Sequence, residues 1–499
     1  MEYDVVIVGA GPSGLCVAME LAAAGIRVKM VERRPLEVQS RAGTILPRVL
    51  ELLDMRGLAD TFIERARGIR DNPFFPVHIW AGLQPVHWKY LESRFGYRLI
   101  LPQNVTEELL LQRVEELGVA IERDAMVTDV AQAPDHVRVT YTTPSGVQQI
   151  DAPWVIGADG GRSAVRTAIN MPFRGHDATF TGIIADVILE FPWPDARRMR
   201  DNEKGWATSF PFSDTETITR FNIVHAKRRA APQSEPVTID EVRRCLCDIY
   251  EIDIEFERMR WASRFSDAMR IVDHFRDHRV LLVGEACRIH YPSSGVGMNF
   301  CIQDAFNLGW KLASVVKQQS QPELLDSYEA ERMPVARALL ESVKSQCALQ
   351  FNFSSEGVAF KRMFETNMMP LPEVNARLAR ELNGLTFPYP SMPGSHPLTG
   401  ERTPDVALLL KTGETRIGRE LRHGEALLID LTDQRTYDGL ARDKLPVRCL
   451  SGVTAGAPAS FDGLRSLLVR PDGYVGWASC DAPSLNAARK ALDQWFVTP

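Results

Sequence analysis

The chain has 499 residues, 45% of them hydrophobic, which is more than one ordinary domain and ample material for buried cores. A net charge of −6 gives no general attraction to nucleic acid or to an anionic membrane. No long uncharged apolar run predicts a transmembrane helix, and the eight scattered cysteines, Cys245 and Cys247 included, lack metal-site spacing and read as reduced thiols of a cytoplasmic protein.

Val5 to Val8 is an unbroken β-branched apolar run and predicts a strand buried on both faces. Gly9, Gly11 and Gly14 follow in the spacing Gly-x-Gly-x-x-Gly. Ser13 to Ala24 then predicts a helix with Leu15, Ala18, Met19 and Ala22 on one face and Gly25 as its stop. Ile26 to Val31 reads as a second strand that ends on Glu32, about 20 residues after the glycines. The spacing has a mechanical reason: the first glycine permits the tight turn, the second lets backbone approach a pyrophosphate, and the third lets helix and strand pack closely. The helix N-terminus, entered through Pro12 and Ser13, offers unpaired N–H groups to that pyrophosphate. An acid at Glu32 accepts from ribose hydroxyls and disfavours a 2′-phosphate, so the pattern points to FAD or NAD in this site.

Arg33-Arg34-Pro35 and Ser40-Arg41-Ala42-Gly43 form a basic loop suited to phosphate oxygens. Arg48 to Arg56 predicts a helix with Val49, Leu52 and Leu53 inward. Residues 72–97 are rich in aromatics, including Phe74, Trp80, Trp88 and Tyr97, and serve equally as a pocket wall or as ordinary core. A helix is expected from near Val105, and Ala125 to Thr143 alternates like a hairpin arm.

Ala152 to Ile156 is another short buried strand, running into Gly157-Ala158-Asp159-Gly160-Gly161-Arg162-Ser163. A glycine turn with a fixed acid can hold ribose or ribityl hydroxyls. Between about Phe173 and Phe275, strand-like stretches at Phe180–Leu189, Trp206–Phe212 and Thr217–Val224 predict an inserted antiparallel sheet. Arg279 to Val283 is a further strand. It leads into a second glycine loop, Gly284 to Asn299, and a helix from Asn299 to about Lys317, whose dipole suits a delocalised negative charge. Helices continue to about Asn383. Pro388, Pro390, Pro393, Pro397 and Pro404 mark a linker. The tail alternates strand and helix, with a helix expected between Leu431 and Val447, and it has no Cys-x-x-Cys.

These separated motifs together resemble the single-component FAD-dependent aromatic hydroxylases (class A flavoprotein monooxygenases), in particular the aromatic polyketide hydroxylases. The matching pieces are the N-terminal glycine motif with Glu32, the Gly157–Ser163 turn, and Gly284 through Asn299 with Asp304-Ala305; Pro102-Gln103, Gly394–Pro397 and Arg470–Gly473 resemble the same subgroup. The resemblance implies an α/β fold: a Rossmann-like FAD-binding domain (1–71, 98–172 and 276–385), an inserted substrate-binding β-sheet domain (72–97 and 173–275), and a C-terminal thioredoxin-like domain (386–499). It implies FAD as cofactor, NADPH or NADH as transient co-substrate, and a flavin C4a-hydroperoxide that hydroxylates a polycyclic polyketide-type phenol or quinone in antibiotic biosynthesis. Baeyer–Villiger oxygenation of a polycyclic ketone and a non-catalytic binding protein are the alternatives on the same scaffold. No metal, nucleic-acid or membrane partner is implied, and the assembly is a monomer or a homodimer.

By resemblance, Gly9, Gly11, Pro12, Ser13 and Gly14 seat the pyrophosphate, with Glu32 on the ribose. Arg33, Arg41, Gln103, Asp159, Gly284 and Glu285 are further FAD contacts. Backbone at Gly295, Gly297, Met298 and Asn299 approaches the flavin ring. Arg288 and His290 are the catalytic candidates, and Phe74, Trp206 and Phe212 the candidate pocket residues. Four positions depart from the family pattern: Glu285 stands for Asp, Arg288 for His, Ser294 for Gly and Val296 for Gln.

Overall fold

The computed structural model describes residues 1–35, 42–189, 193, 199–211, 218–440 and 445–497. The opening strand β1 (Val5–Val8) lies centrally in a six-stranded sheet. It pairs in parallel with β2 (Val28–Val31) on one side and β4 (Trp154–Gly157) on the other. β3 (Ala120–Glu122) extends the sheet beyond β2, while β6 (Val280–Leu282) and then β5 (Arg276–Asp277) extend it beyond β4. Neighbours on both edges and cover on both faces explain why every residue of β1 is apolar and buried.

Helix α1 (Pro12–Ala23) follows β1 and packs against the long helix α3 (Gly297–Val316), with α2 (Gln103–Glu116) also against it. The contact between α1 and α3 is close: a Cβ added at Gly309 would lie 2.5 Å from the Cβ of Glu20. These strands and helices are the Rossmann-like domain that the N-terminal pattern predicts, with helix bounds shifted by one or two residues.

The inserted sheet is present. Its strands run in the order Met199–Asn202, Gly205–Pro211, Ile218–His225, Thr181–Leu189, Phe256–Ser266, all antiparallel. One face is closed by the helix Ile239–Tyr250, whose Val242, Leu246 and Ile249 pack on Ile183, Ala185 and Phe221. A separate cluster gathers Trp80 of the hairpin Val77–Trp80/Leu83–His87 and Trp88 just after it, Phe180 and Trp206 from the inserted domain, Tyr291 and Phe300 from the cofactor side, and Phe351 just beyond helix α4 (Asp326–Gln350).

The tail folds around a second six-stranded sheet, in the order Gly413–Arg416, Ala407–Leu410, Val447–Ala455, Ala426–Asp430, Ser466–Val469, Val475–Ser479. The helix expected between Leu431 and Val447 is not formed over 432–439, which are turns. The Asp430 carboxylate accepts hydrogen bonds from the Thr432 N–H and hydroxyl and the Thr436 N–H, and so winds this stretch into a local turn system. All eight cysteines are free. The tail docks through buried charge: Arg470 reaches Glu331 of α4 with two bonds of 2.7 and 2.8 Å, and Arg402 reaches Glu51 at 2.7 Å.

Candidate functional site

Three turns converge at the carboxyl ends of β1, β4 and β6. Gly9 has φ +103°, and a Cβ on it would sit 2.5 Å from the Ala158 carbonyl oxygen at the end of β4. A Cβ on Gly14 would sit 2.0 Å from the Gly9 oxygen. Gly284, with φ +67°, lies so near α1 that its Cβ would meet Ser13 Oγ at 2.3 Å. Gly11 is different: the nearest atom to its Cβ position is Arg34 Nη2 at 3.9 Å. The first and third glycines are therefore required by the protein's own packing, whereas the second borders open space, as a cradle for a ligand's pyrophosphate would. Among the described residues no side chain caps the N-terminus of α1, which leaves its first N–H groups for an anion.

Glu32 is buried and its carboxylate accepts from the Ala10 N–H at 2.6 Å and the Arg34 N–H at 2.7 Å. The basic side chain that reaches this loop is Arg34, whose Nε donates to Glu32 at 3.2 Å; Arg33 is exposed. Arg41 lies outside the described residues. Gln103, at the start of α2, accepts from the Ala42 N–H at 3.1 Å and donates to Glu107 at 2.8 Å. Asp159 uses Oδ2 to accept from Ala164 and Val165 N–H, while its buried Oδ1 has no partner among the described residues. Burial pushes its carboxyl pKa up. Exposed Glu285 stands across from Asp159-Gly160, its Oε2 4.0 Å from the Cβ position of Gly160.

The second glycine loop runs from here to α3. Asn299 is buried; its Oδ1 accepts from the Leu46 N–H at 2.7 Å and its Nδ2 donates to the Thr44 oxygen at 3.0 Å. Arg288 is buried and donates to Asp304 at 2.5 Å, and the same carboxylate takes Arg332 at 2.7 Å. The Arg288 guanidinium thus braces the loop from below. The His290 ring lies against Gly297, and its Nδ1–H donates to the Tyr291 carbonyl at 2.7 Å, which leaves Nε2 as the lone-pair nitrogen. Desolvation lowers the imidazole pKa to about 4.

Tyr291 carries the loop into a cluster of rings. Its centroid lies 5.8 Å from Phe180, 5.5 Å from Phe265 and 5.3 Å from Phe351. Trp206 meets Phe351 at 6.1 Å, and its buried indole N–H has no partner among the described residues. Phe74 is elsewhere, edge-on to Tyr97 at 4.7 Å in a strand paired with Arg98–Ile100. Phe212 lies outside the described residues.

The sequence matches the family model described as "FAD binding domain" over residues 2–343 and that described as "Aromatic-ring hydroxylase, C-terminal" over residues 396–499. The chain belongs to the FAD-dependent aromatic-ring hydroxylases.

Similarity to individual hydroxylases runs the full length. The 12-dehydrotetracycline 5-monooxygenase/anhydrotetracycline 6-monooxygenase of Streptomyces rimosus is 36% identical, covering 100% of both chains. The solved structure of an anhydrotetracycline hydroxylase from Streptomyces rimosus superposes with a TM-score of 0.89 at 35% identity, again over 100% of both chains. A dialkyldecalin synthase of Streptomyces rugosporus is 31% identical over 99% of each chain. The protein is an FAD-dependent monooxygenase, and its own residues fit that cofactor: among the described residues, an open cradle at Gly11, an uncapped helix N-terminus and an acceptor at Asp159 Oδ1 without a partner. Motif spacing located all three turns of the hydroxylase. It did not locate Phe351 or Arg34's engagement with Glu32, because neither Phe351 nor Arg34 stands out from its local sequence until the chain is folded.

Proposed function

We propose that this monooxygenase uses NAD(P)H and O₂ to hydroxylate a polycyclic phenol or quinone of the polyketide type. The observation that carries the reading is the ring cluster of Phe180, Phe265, Phe351 and Tyr291, because Tyr291 belongs to the cofactor loop itself. A flat substrate held among these rings is kept dry and close to the flavin, which is what oxygen transfer to a ring demands. The full-length likeness to a tetracycline monooxygenase supports the same class of substrate.

Bound FAD would supply the chemistry that activates O₂, with electrons from the nicotinamide. The chain's residues do the rest. Gly9 to Gly14 and Glu32 would seat the adenosine diphosphate moiety, Asp159 and Glu285 its hydroxyl-bearing link, and the backbone of Gly295 to Asn299 the flavin ring. Residues 72–97 and 173–275 form the substrate side. His290 is neutral at pH 7, and its Nε2 accepts a hydrogen bond from a substrate hydroxyl; Arg288, held by Asp304, orients the loop without touching the substrate. A cytoplasmic location accords with eight free cysteines.

The test is to purify the chain with FAD and screen anhydrotetracycline and related phenols for substrate-stimulated NADPH oxidation. One phenol oxygen gained per NADPH, placed by NMR, is the expected result. A lactone product would replace hydroxylation by ketone oxygenation, and an absence of stimulated oxidation with any such phenol would sink the proposal.

A further inference from the structure

Ten non-glycine residues with positive φ are found among the described residues, and two of them meet at one atom. Ala81, with φ 51°, turns the hairpin Val77–Trp80/Leu83–His87 together with Gly82. Ser294, with φ 51°, bends the cofactor loop just before Gly295. Both belong to the left-handed region that L-residues with a side chain seldom occupy, so something else must hold them there.

That something is Gln346 of α4, which is 1% exposed. Its Oε1 accepts three hydrogen bonds: from the Ala81 N–H at 3.0 Å, the Ser293 hydroxyl at 2.6 Å and the Ser294 hydroxyl at 2.8 Å. Its Nε2 donates to Ser342 Oγ at 3.0 Å, and Ser342 in turn donates to Glu381. The Glu381 carboxylate also takes the Trp80 indole N–H at 2.9 Å, so the amide is locked in orientation from both ends. A second tie runs in parallel. His78 Nε2–H donates to the Ser294 carbonyl at 2.7 Å, and burial keeps this imidazole neutral.

We propose that Gln346 is a positioning residue of the hydroxylase: its side-chain oxygen fixes the Ala81–Gly82 turn and the Ser293–Ser294 bend to one point and so sets the cofactor loop over the flavin. The Ala81–Gly82 turn lies on the substrate side, since a Cβ on Gly82 would sit 2.9 Å from the Trp206 indole nitrogen. One amide therefore registers the element beside Trp206 against the loop beside the flavin. The inference rests on the reading of this site as a flavin site, and it assigns no group that touches the reacting atoms.

The logic yields a rescue. If Gln346 serves to hold Ser294 left-handed, glycine at 294 removes the need for it, because glycine adopts that backbone without a side-chain penalty. The measurements are FAD titrations of the apo full-length chain by quenching of flavin fluorescence, with the visible flavin spectrum recorded at saturation. Q346A is expected to bind FAD at least tenfold more weakly, with a flavin spectrum shifted towards that of free FAD. Q346A/S294G is expected to regain at least threefold of the lost affinity and the wild-type spectrum. Unchanged affinity in Q346A, or no recovery in the double variant, overturns the proposal. S294A against S294G serves where Q346A does not fold: alanine keeps the unfavourable backbone without the tie, so it is expected to bind FAD several-fold more weakly than glycine, and equal affinities overturn the proposal. Wild-type chain that binds FAD yet oxidises no NADPH in response to anhydrotetracycline or its relatives counts against the proposed function and leaves these titrations intact.

Discussion

The two glycine loops of the cofactor site reach similar ends by opposite means. In the loop from Gly9 to Gly14 the shape is enforced by what is absent: a single added carbon at Gly9 or Gly14 would strike backbone oxygen at 2.5 or 2.0 Å. In the loop from Gly284 to Asn299 only the first residue is fixed by exclusion, against Ser13, and the shape beyond it is enforced by what is present. Arg288 and Arg332 share Asp304, Asn299 grips the Thr44–Leu46 backbone, and Gln346 and His78 hold a serine in a left-handed bend. A loop built on steric exclusion needs no side-chain partner, only the absence of a Cβ where Gly9 meets Ala158 and Gly14 meets Gly9. A loop built on side-chain ties depends on partners from 16 to 255 residues away, and it tolerates a non-glycine where glycine is usual.

The contrast can be broken by mutation. The largest expected effect is at Asp304→Ala, which leaves the Arg288 and Arg332 guanidinium groups buried without their carboxylate. Urea unfolding of the apo chain is expected to show a loss of about 3–5 kcal/mol, and a loss under about 1 kcal/mol would mean that the second loop does not depend on its charge brace. Next is a pair in the first loop. Gly14→Ala is expected to cost about 3 kcal/mol through overpacking, whereas Gly11→Ala is expected to leave apo stability within about 0.5 kcal/mol and to weaken FAD binding at least tenfold. Equal destabilisation by the two would remove the distinction between packing glycine and ligand glycine.

A third test uses pH. The folded His290 pKa, about 4, lies below its unfolded value near 6.5, so the unfolded chain binds the extra proton between those limits. Stability from the neutral imidazole is complete above pH 6.5 and is lost as pH falls towards 4, by up to about 3 kcal/mol. His290→Gln is expected to flatten this part of the stability profile of the apo chain, read as melting temperature between pH 7 and pH 4.5. An unchanged acid limb would show that the loop does not shield this ring. The smallest expected effect lies on the substrate side. Trp206→Phe removes a buried donor that has no partner among the described residues and shrinks a packed ring, so a stability loss of about 1–2 kcal/mol is expected while KM for a quinone substrate rises several-fold; an unchanged KM would place the indole N–H outside the substrate site.

The legible parts of this protein follow the same division. Gly9, Gly14 and Gly284 were legible because steric demand at a strand-to-helix turn leaves one residue type, and Glu32 because it terminates a strand at fixed distance from them. The buried strands of the central sheet were legible in runs such as Val5–Val8 that are apolar at every position. Phe74 illustrates what local pattern cannot resolve: an aromatic beside Phe75 and near Tyr97 reads alike as pocket or core, and only pairing with Arg98–Ile100 assigns it to a strand away from Trp206. Over 432–439 the expected helix is not formed, because one carboxylate with three local donors stabilises turns instead.

The amino-acid sequence by itself determined the dinucleotide turn and the buried strand that leads into it, since both are written in short-range rules of sterics and periodicity; the chemistry was legible only through the resemblance of the separated motifs to a known family. The folded chain alone decided that Arg288 faces Asp304, that Tyr291 shares a cluster with Phe180, Phe265 and Phe351, and that Gln346 stands where Ala81 and Ser294 meet. Those are contacts between residues up to 265 positions apart, and no local energy term links such residues until the hydrophobic clusters between them have closed.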